Sequence, residues 1–326
     1  MKRTLIGLLV LLLCLAGCTT AQQPHNPSPT PPAAETTQPV EPAPPVSPVP
    51  TSPPAPVIIT FTRENFPRLD GSTSTAPLGR AIASVLLGES EDEVADLIHF
   101  SRTSQSFREL MWGAADLLIV AEPSASIFEE LENEGFEIQI EPFANDGLIF
   151  VVNADNPVDS LTVEQIQGIY SGEITNWSQV GGEDLPITPF QRNEESGSQT
   201  LMKKLVMAGL NTIEPPENYL ISDMGALMEA VRGYNNTASA IGYSVYYYAN
   251  DMRMADGLKI IAVNGVEPST QTIRSGEYPL RNPYYVVKAA NTPDSSMTSI
   301  LYDWILSEDG QRLVSRMGYA SVLEVE

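Results

Sequence analysis

Fourteen of the 33 residues from Pro24 to Pro56 are proline, and most of the others are Ala, Ser, Thr, Val or Gln. Such a stretch has too little apolar surface to bury, and it tends toward extended, polyproline-like conformations. Folding is therefore confined to the residues after Val57, about 270 of them, enough for two modest lobes or one large α/β domain. Within that part, apolar runs alternate with helix-period segments, which favours an α/β architecture. Residues 116–121, 147–153, 240–248, 258–263 and 284–288 read as strands. Pro77–Leu87, Phe107–Gly113, Val163–Tyr170, Gln199–Ala208, Gly225–Gly233 and Ser295–Leu306 read as helices. Thr162 and Gln165 form a capping-box string, and Ser106 with Glu109 fits another. Tyr246, Tyr247 and Tyr248 are expected to alternate between core and surface along a strand.

The residues before the proline-rich stretch carry an address. Lys2 and Arg3 precede an apolar run from Leu5 to Ala16, short of the roughly 20 residues that a spanning helix needs. The run ends in Leu15-Ala16-Gly17-Cys18, a string that resembles a bacterial lipobox. The expected organisation is a signal peptide over 1–17, then a lipidated Cys18 opening a spacer over 18–57. The product is a protein exported and held on the outer side of the cell membrane by lipid. Cys14 leaves with the signal peptide, so the mature chain has no pair of cysteines for a disulfide or a thiolate metal site.

The chain has a formal charge of −23, and because Lys2 and Arg3 offset Glu35 and Glu41, all of it lies after Val57. Such a surface excludes nucleic acid and anionic lipid as partners. It does not exclude a small anion held by local dipoles and one or two cations, because surface charge is screened beyond roughly 10 Å.

Three loops have the chemistry for that. Leu69-Asp70-Gly71-Ser72-Thr73-Ser74-Thr75-Ala76-Pro77 places hydroxyls ahead of a helix start, where unpaired N–H groups and a partial positive charge gather. Ser101-Arg102-Thr103-Ser104-Gln105-Ser106 does the same ahead of a second helix. In the third, Arg192 precedes Ser196-Gly197-Ser198 and an amphipathic helix. Gly197 permits close backbone approach, and Arg192 offers a planar fork to two oxygens unless it is consumed by Glu194 or Glu195.

These strings, with Tyr170-Ser-Gly-Glu-Ile-Thr-Asn-Trp177-Ser-Gln-Val-Gly-Gly182 and Ala240-Ile-Gly-Tyr243, resemble the phosphate-binding subunit of bacterial ABC importers from about Pro67 onward. The resemblance implies the two-lobed type II periplasmic-binding-protein fold, α/β in each lobe, with the ligand cleft between lobes joined by two crossovers. Those crossovers are expected near Asp146–Asn153 and Tyr243–Tyr248, giving lobe I as 58–149 and 247–326 and lobe II as 150–246. The ligand residues implied are Arg192, Ser196, Gly197 and Ser198 in lobe II. In lobe I they are Thr75 and Ala76, with Ser74 and Thr73 as competitors, and Ser104, with Thr103 as its alternative. Glu122 stands where the family has a buried aspartate, one methylene longer. As an acceptor for a P–OH it would separate phosphate from sulfate, which carries no proton.

The implied role is capture of inorganic phosphate for an ABC permease with a cytoplasmic ATPase, by a monomer without cofactor or metal. The alternatives are another oxyanion of the sulfate or molybdate class, or a surface phosphate sensor or adhesion module uncoupled from transport. A hydrolase is disfavoured. His25 lies in the spacer, His99 suits a core edge, and neither a Ser/His/Asp set nor a Walker string is present. Cys18 is the sole lipidation site, so Cys18→Ser should release the protein or stall it as precursor. Cell fractionation checks this, and a fully processed variant still in the membrane fraction would refute the anchor.

Overall fold

The computed structural model describes residues 60–233 and 238–325; the signal peptide over 1–17, Cys18 and the spacer over 18–57 lie outside them. The strands are β1 (Leu69–Gly71), β2 (Leu117–Ala121), β3 (Ile138–Asn153), β4 (Ser160–Leu161), β5 (Thr188–Pro189), β6 (Gln191–Arg192), β7 (Leu220–Ile221), β8 (Ala240–Val245), β9 (Leu258–Val263), β10 (Arg281–Ala289) and β11 (Ala320–Ser321). The helices are α1 (Ala76–Leu87), α2 (Thr103–Met111), α3 (Ala125–Asn133), α4 (Val163–Ser171), α5 (Gly197–Leu201), α6 (Met224–Gly233), α7 (Tyr246–Asn250), α8 (Thr270–Ser275), α9 (Met297–Leu306) and α10 (Glu308–Arg316).

The long strand β3 organises the molecule. Its first half pairs antiparallel with β10 and β11, and β10 continues to β2, which pairs parallel with β1. Its second half, Leu148–Asn153, pairs antiparallel with β8 and β9. One strand thus serves two sheets, and each sheet has its own core. Leu69, Leu78, Ile119, Tyr284 and Leu301 are buried in the first lobe. Phe150, Tyr170, Trp177, Tyr243 and Ile261 are buried in the second. The strand is buried on both faces where it passes between them, which is why 147–153 reads as a continuous apolar run rather than an alternating one.

The second lobe holds more of the chain than expected. β9 pairs with β3 and β4, and Ile273, Tyr278 and Leu280 pack into the second core. Residues 247–326 therefore do not return as a block to lobe I; the stretch 258–280 belongs with lobe II.

Two local expectations are also corrected. Tyr246–Tyr248 open a short helix, α7, instead of continuing a strand. Helical geometry then splits neighbours that alternation would have placed on opposite faces of one sheet. Tyr247 stacks on Tyr319 at 3.7 Å between ring centroids in the first core, and Tyr248 joins the second. α2 begins at Thr103, four residues earlier than expected, so Ser106 lies inside it and donates to Thr103 O instead of capping. The Thr162–Gln165 capping box forms as read. The expected helix 199–208 is α5 followed by a π-helical turn over Met202–Val206.

Where β3 leaves the first lobe, Asp146 is buried among hinge residues. It accepts from Tyr284 Oη (2.6 Å), Gly147 N (2.7 Å) and Tyr247 N (3.1 Å). Desolvation outweighs these bonds and pushes its carboxyl up to about 6. The folded state therefore holds this proton to about pH 6, whereas the unfolded chain loses it near the ordinary carboxylate range. Its contribution to stability is present at low pH and declines as pH rises to about 6, with a slope of at most about 1.4 kcal/mol per unit. In denaturant titrations across pH 4–7, Asp146→Asn should lose that part of the decline; identical pH slopes would refute the assignment.

Candidate functional site

Gly71 ends β1 against the carbonyl of Ile119, so close that a Cβ would overlap that oxygen. The chain then turns through Ser72–Thr75 into α1, with Pro77 in the first helical turn. Ser72 Oγ accepts from Ala121 N (2.9 Å) and lies 2.9 Å from Thr103 Oγ1, linking the first loop to the second. Ser74 Oγ lies 2.7 Å from Tyr284 Oη, the residue that donates to Asp146, so this loop is wired to the hinge.

The second loop enters α2 at Thr103. Thr103 and Ser104 are both buried, and Ser104 donates to the backbone oxygen of Glu195 in the opposite lobe at 2.9 Å. Arg102, before the helix, is exposed and has φ 79° and ψ 164°.

The third loop is built around Arg192, which is 4% exposed. Its Nε donates to Ile221 O (3.0 Å), Nη2 to Ser222 O (3.2 Å), and Nη1 weakly toward Ser198 Oγ (3.4 Å). Its backbone N–H donates to Tyr243 Oη (2.9 Å). Gly242, one residue earlier on β8, has no room for a side chain because Val231 and Leu227 of α6 press on it. The Ala-Ile-Gly-Tyr string thus holds α6 close and aims the tyrosine at the Arg192 backbone. Neither neighbouring glutamate takes the guanidinium, since Glu194 pairs with Lys203 and Glu195 with Arg108. Burial lowers the pKa of Arg192 from its ordinary value, yet a guanidinium starts so high that it stays charged. Ser196 caps α5, and its Oγ lies 3.0 Å from that of Ser198.

The three loops meet around a cavity of about 330 Å³. Of the expected residues, Thr73, Ser74, Thr103, Ser104, Arg192, Ser196, Gly197 and Ser198 line it. Thr75 does not: it is fully buried, and its hydroxyl donates to Ser72 O (2.9 Å) and Ile119 O (2.6 Å). Ala76 does not line it either, and the loop presents Ser72–Ser74 instead. Glu122 is the larger correction. The residue follows directly after β2 and lines a neighbouring depression instead of the cavity, where it pairs with Lys204 of the other lobe.

Sequence reasoning missed Ser72, Ser101, Arg102, Gln105, Asn193 and Ser222 as lining residues. The first five stand within the three hydroxyl-rich loop strings, so loop membership was the available signal. Ser222 had none: it arrives through β7, which pairs with β6 beside Arg192.

A family profile described as a PBP superfamily domain matches residues 68–309. The chain belongs to the PBP superfamily. Among its curated relatives is the phosphate-binding protein PstS of Bacillus subtilis, 25% identical over 263 residues, covering 79% of this chain and 81% of that one. PstS of Borreliella burgdorferi is 29% identical over 185 residues, 55% of this chain; the match spans 64% of that protein's length, under two thirds. A crystal structure of a Clostridium perfringens substrate-binding protein assigned to phosphate ABC transport, with phosphate bound, superposes with a TM-score of 0.62. It is 26% identical and covers 78% of this chain and 98% of its own. A Vibrio cholerae ABC-type phosphate transport receptor gives a TM-score of 0.56 at 25% identity, covering 77% and 98%. The fold is thus the two-lobed type II arrangement of these substrate-binding proteins.

In this PBP superfamily chain the two lobes touch around the cavity. Arg108 of α2 donates through both Nη atoms to the Glu195 carboxylate at 3.0 and 3.1 Å, holding that carboxyl below its ordinary range. Glu122–Lys204 makes a second ionic tie. One partner of each tie is about half exposed, so solvent screening holds each to on the order of 1 kcal/mol. The steric contact is closer: a Cβ on Gly197 would sit 2.7 Å from Thr103 Oγ1 across the cleft. Gly197→Ala should therefore wedge the lobes apart, and Thr103→Ala in the same chain should return the space. Small-angle scattering checks this; a radius of gyration unchanged by Gly197→Ala would refute the contact.

Proposed function

We propose that this chain captures inorganic phosphate in the cleft between its lobes, outside the cytoplasm, and delivers it to the permease of an ABC importer. One observation carries the reading: a buried guanidinium, Arg192, bonded to backbone carbonyls and in no ion pair among the described residues, faces a cavity lined by hydroxyls from both lobes. Burying a cation without a counter-charge is costly, and a bound oxyanion would supply that charge. The names of the relatives support phosphate as the ligand. The permease partner and the lipid anchor at Cys18 rest on the family role and on the lipobox string. The binding role also supports reading the chain as a non-enzyme. Among the described residues lining the cavity none is a histidine to serve as an imidazole base for the serines there.

Calorimetric titration of the full chain with phosphate tests the proposal. Losing a buried charge-assisted contact costs about 2–5 kcal/mol, so Arg192→Ala should weaken binding by roughly 30-fold or more. Ser196→Ala or Ser198→Ala should cost less, about 1–3 kcal/mol, because neutral donors are weaker. No heat on adding phosphate to the wild type, or a loss below about threefold for Arg192→Ala, would overturn it.

A further inference from the structure

We propose, building on the oxyanion reading, that Arg102 is a second ligand-contacting guanidinium and that the cleft selects tetrahedral dianions by charge, not by a proton they carry. The backbone is the first observation. Arg102 has φ 79° and ψ 164°, a region that essentially only glycine occupies without strain. A strained side-chain-bearing residue at the rim of a ligand cleft marks a position where the side chain has a use. The second observation is its pairing. Arg102 lines the cavity, and its guanidinium has no ion pair among the described residues, although the chain carries −23. It is also near enough that its charge bears on Arg192.

The third observation concerns acceptors. Glu122 is turned out of the cavity to Lys204. Glu195 is the one carboxylate residue among the described residues lining the cavity, and Arg108 takes both its oxygens. Asp70, behind the first loop, accepts from Gly71 N, Ser101 N and Ser101 Oγ. Among the described residues that line the cavity there are therefore two guanidinia to meet unprotonated oxygens and no uncommitted carboxylate to demand a proton; Asp223, whose charge also bears on Arg192, lies outside that lining. Discrimination of phosphate from sulfate through a missing proton needs such a carboxylate. Without it, phosphate, arsenate and sulfate are ligands of one class, and the single proton of the phosphate dianion is accommodated by a serine or threonine oxygen.

The test is calorimetric titration of the full chain with phosphate and with sulfate, for wild type, Arg102→Gly and Arg102→Lys, at low and high salt. Sulfate should bind the wild type within about tenfold of phosphate. Arg102→Gly should weaken both anions by about tenfold or more, while the melting temperature of the ligand-free chain stays level or rises, because glycine relieves the backbone. Arg102→Lys should recover part of the affinity. The wild type should lose affinity with salt more steeply than Arg102→Gly, since an exposed cation is screened. Two outcomes overturn the proposal: Arg102→Gly binding phosphate within about twofold of wild type, or wild type binding sulfate about a hundredfold more weakly than phosphate. In either case phosphate still binds and the oxyanion reading stands. A wild type that binds neither anion overturns both.

Discussion

A guanidinium removed from water, with no ion pair among the described residues, is the constraint on which the cleft depends. Arg192 donates to the carbonyls of Ile221 and Ser222, which orient it without neutralising it. An ion pair in the same place would have been easier to bury, but it would have cancelled the charge that an anion needs. Glu194, Glu195 and Glu122 are each paired with a basic partner, Lys203, Arg108 and Lys204, while Asp70 accepts from Gly71 and Ser101, and the charge of Asp223 bears on Arg192 from outside the cavity lining. A chain of charge −23 can thereby keep a local positive site, because distant surface charge is screened while a desolvated cation at contact distance is not.

The crossover region and the loops lining the cavity share hydrogen bonds. β3 passes through both sheets, and Asp146 sits where it changes lobe. From Asp146 the bonds run to Tyr284, then to Ser74 at the cleft, while Tyr319 donates to the Ser74 carbonyl at 2.6 Å. The same carboxylate accepts N–H groups from both crossover segments, those of Gly147 and Tyr247. The first loop is thus bonded to residues of the crossover region, whereas the third stands on lobe II, between β6 and α5.

Particular residues show where sequence reading succeeded. Leu258–Val263 is a strand as read, since six apolar-rich residues between turn signals leave little choice. The Thr162–Gln165 box and the start of α4 depend on contacts within four residues. The hydroxyl loops and Arg192 were legible because each is a local string with a helix behind it. α3, α8 and α10 were not identified. α10 contains Gly310, which a propensity argument disfavours, but that glycine lets the helix press against the carbonyls of Trp304 and Ile305.

By itself the sequence determined the alternation of strands and helices and the three hydroxyl-rich loops, with an arginine in the third, all matters of bonding between near neighbours. Only the tertiary structure decided where side chains point and which lobe a segment joins. Glu122 looked like a ligand acceptor until Lys204, 82 positions away, was placed beside it. Thr75 looked like a donor to ligand until the Ile119 carbonyl claimed its hydroxyl. Tyr247 and Tyr248 went to different cores because a helix turns successive residues by about 100° where a strand alternates them. In each case the deciding partner lies far along the chain, and its approach is set by packing that no local pattern encodes.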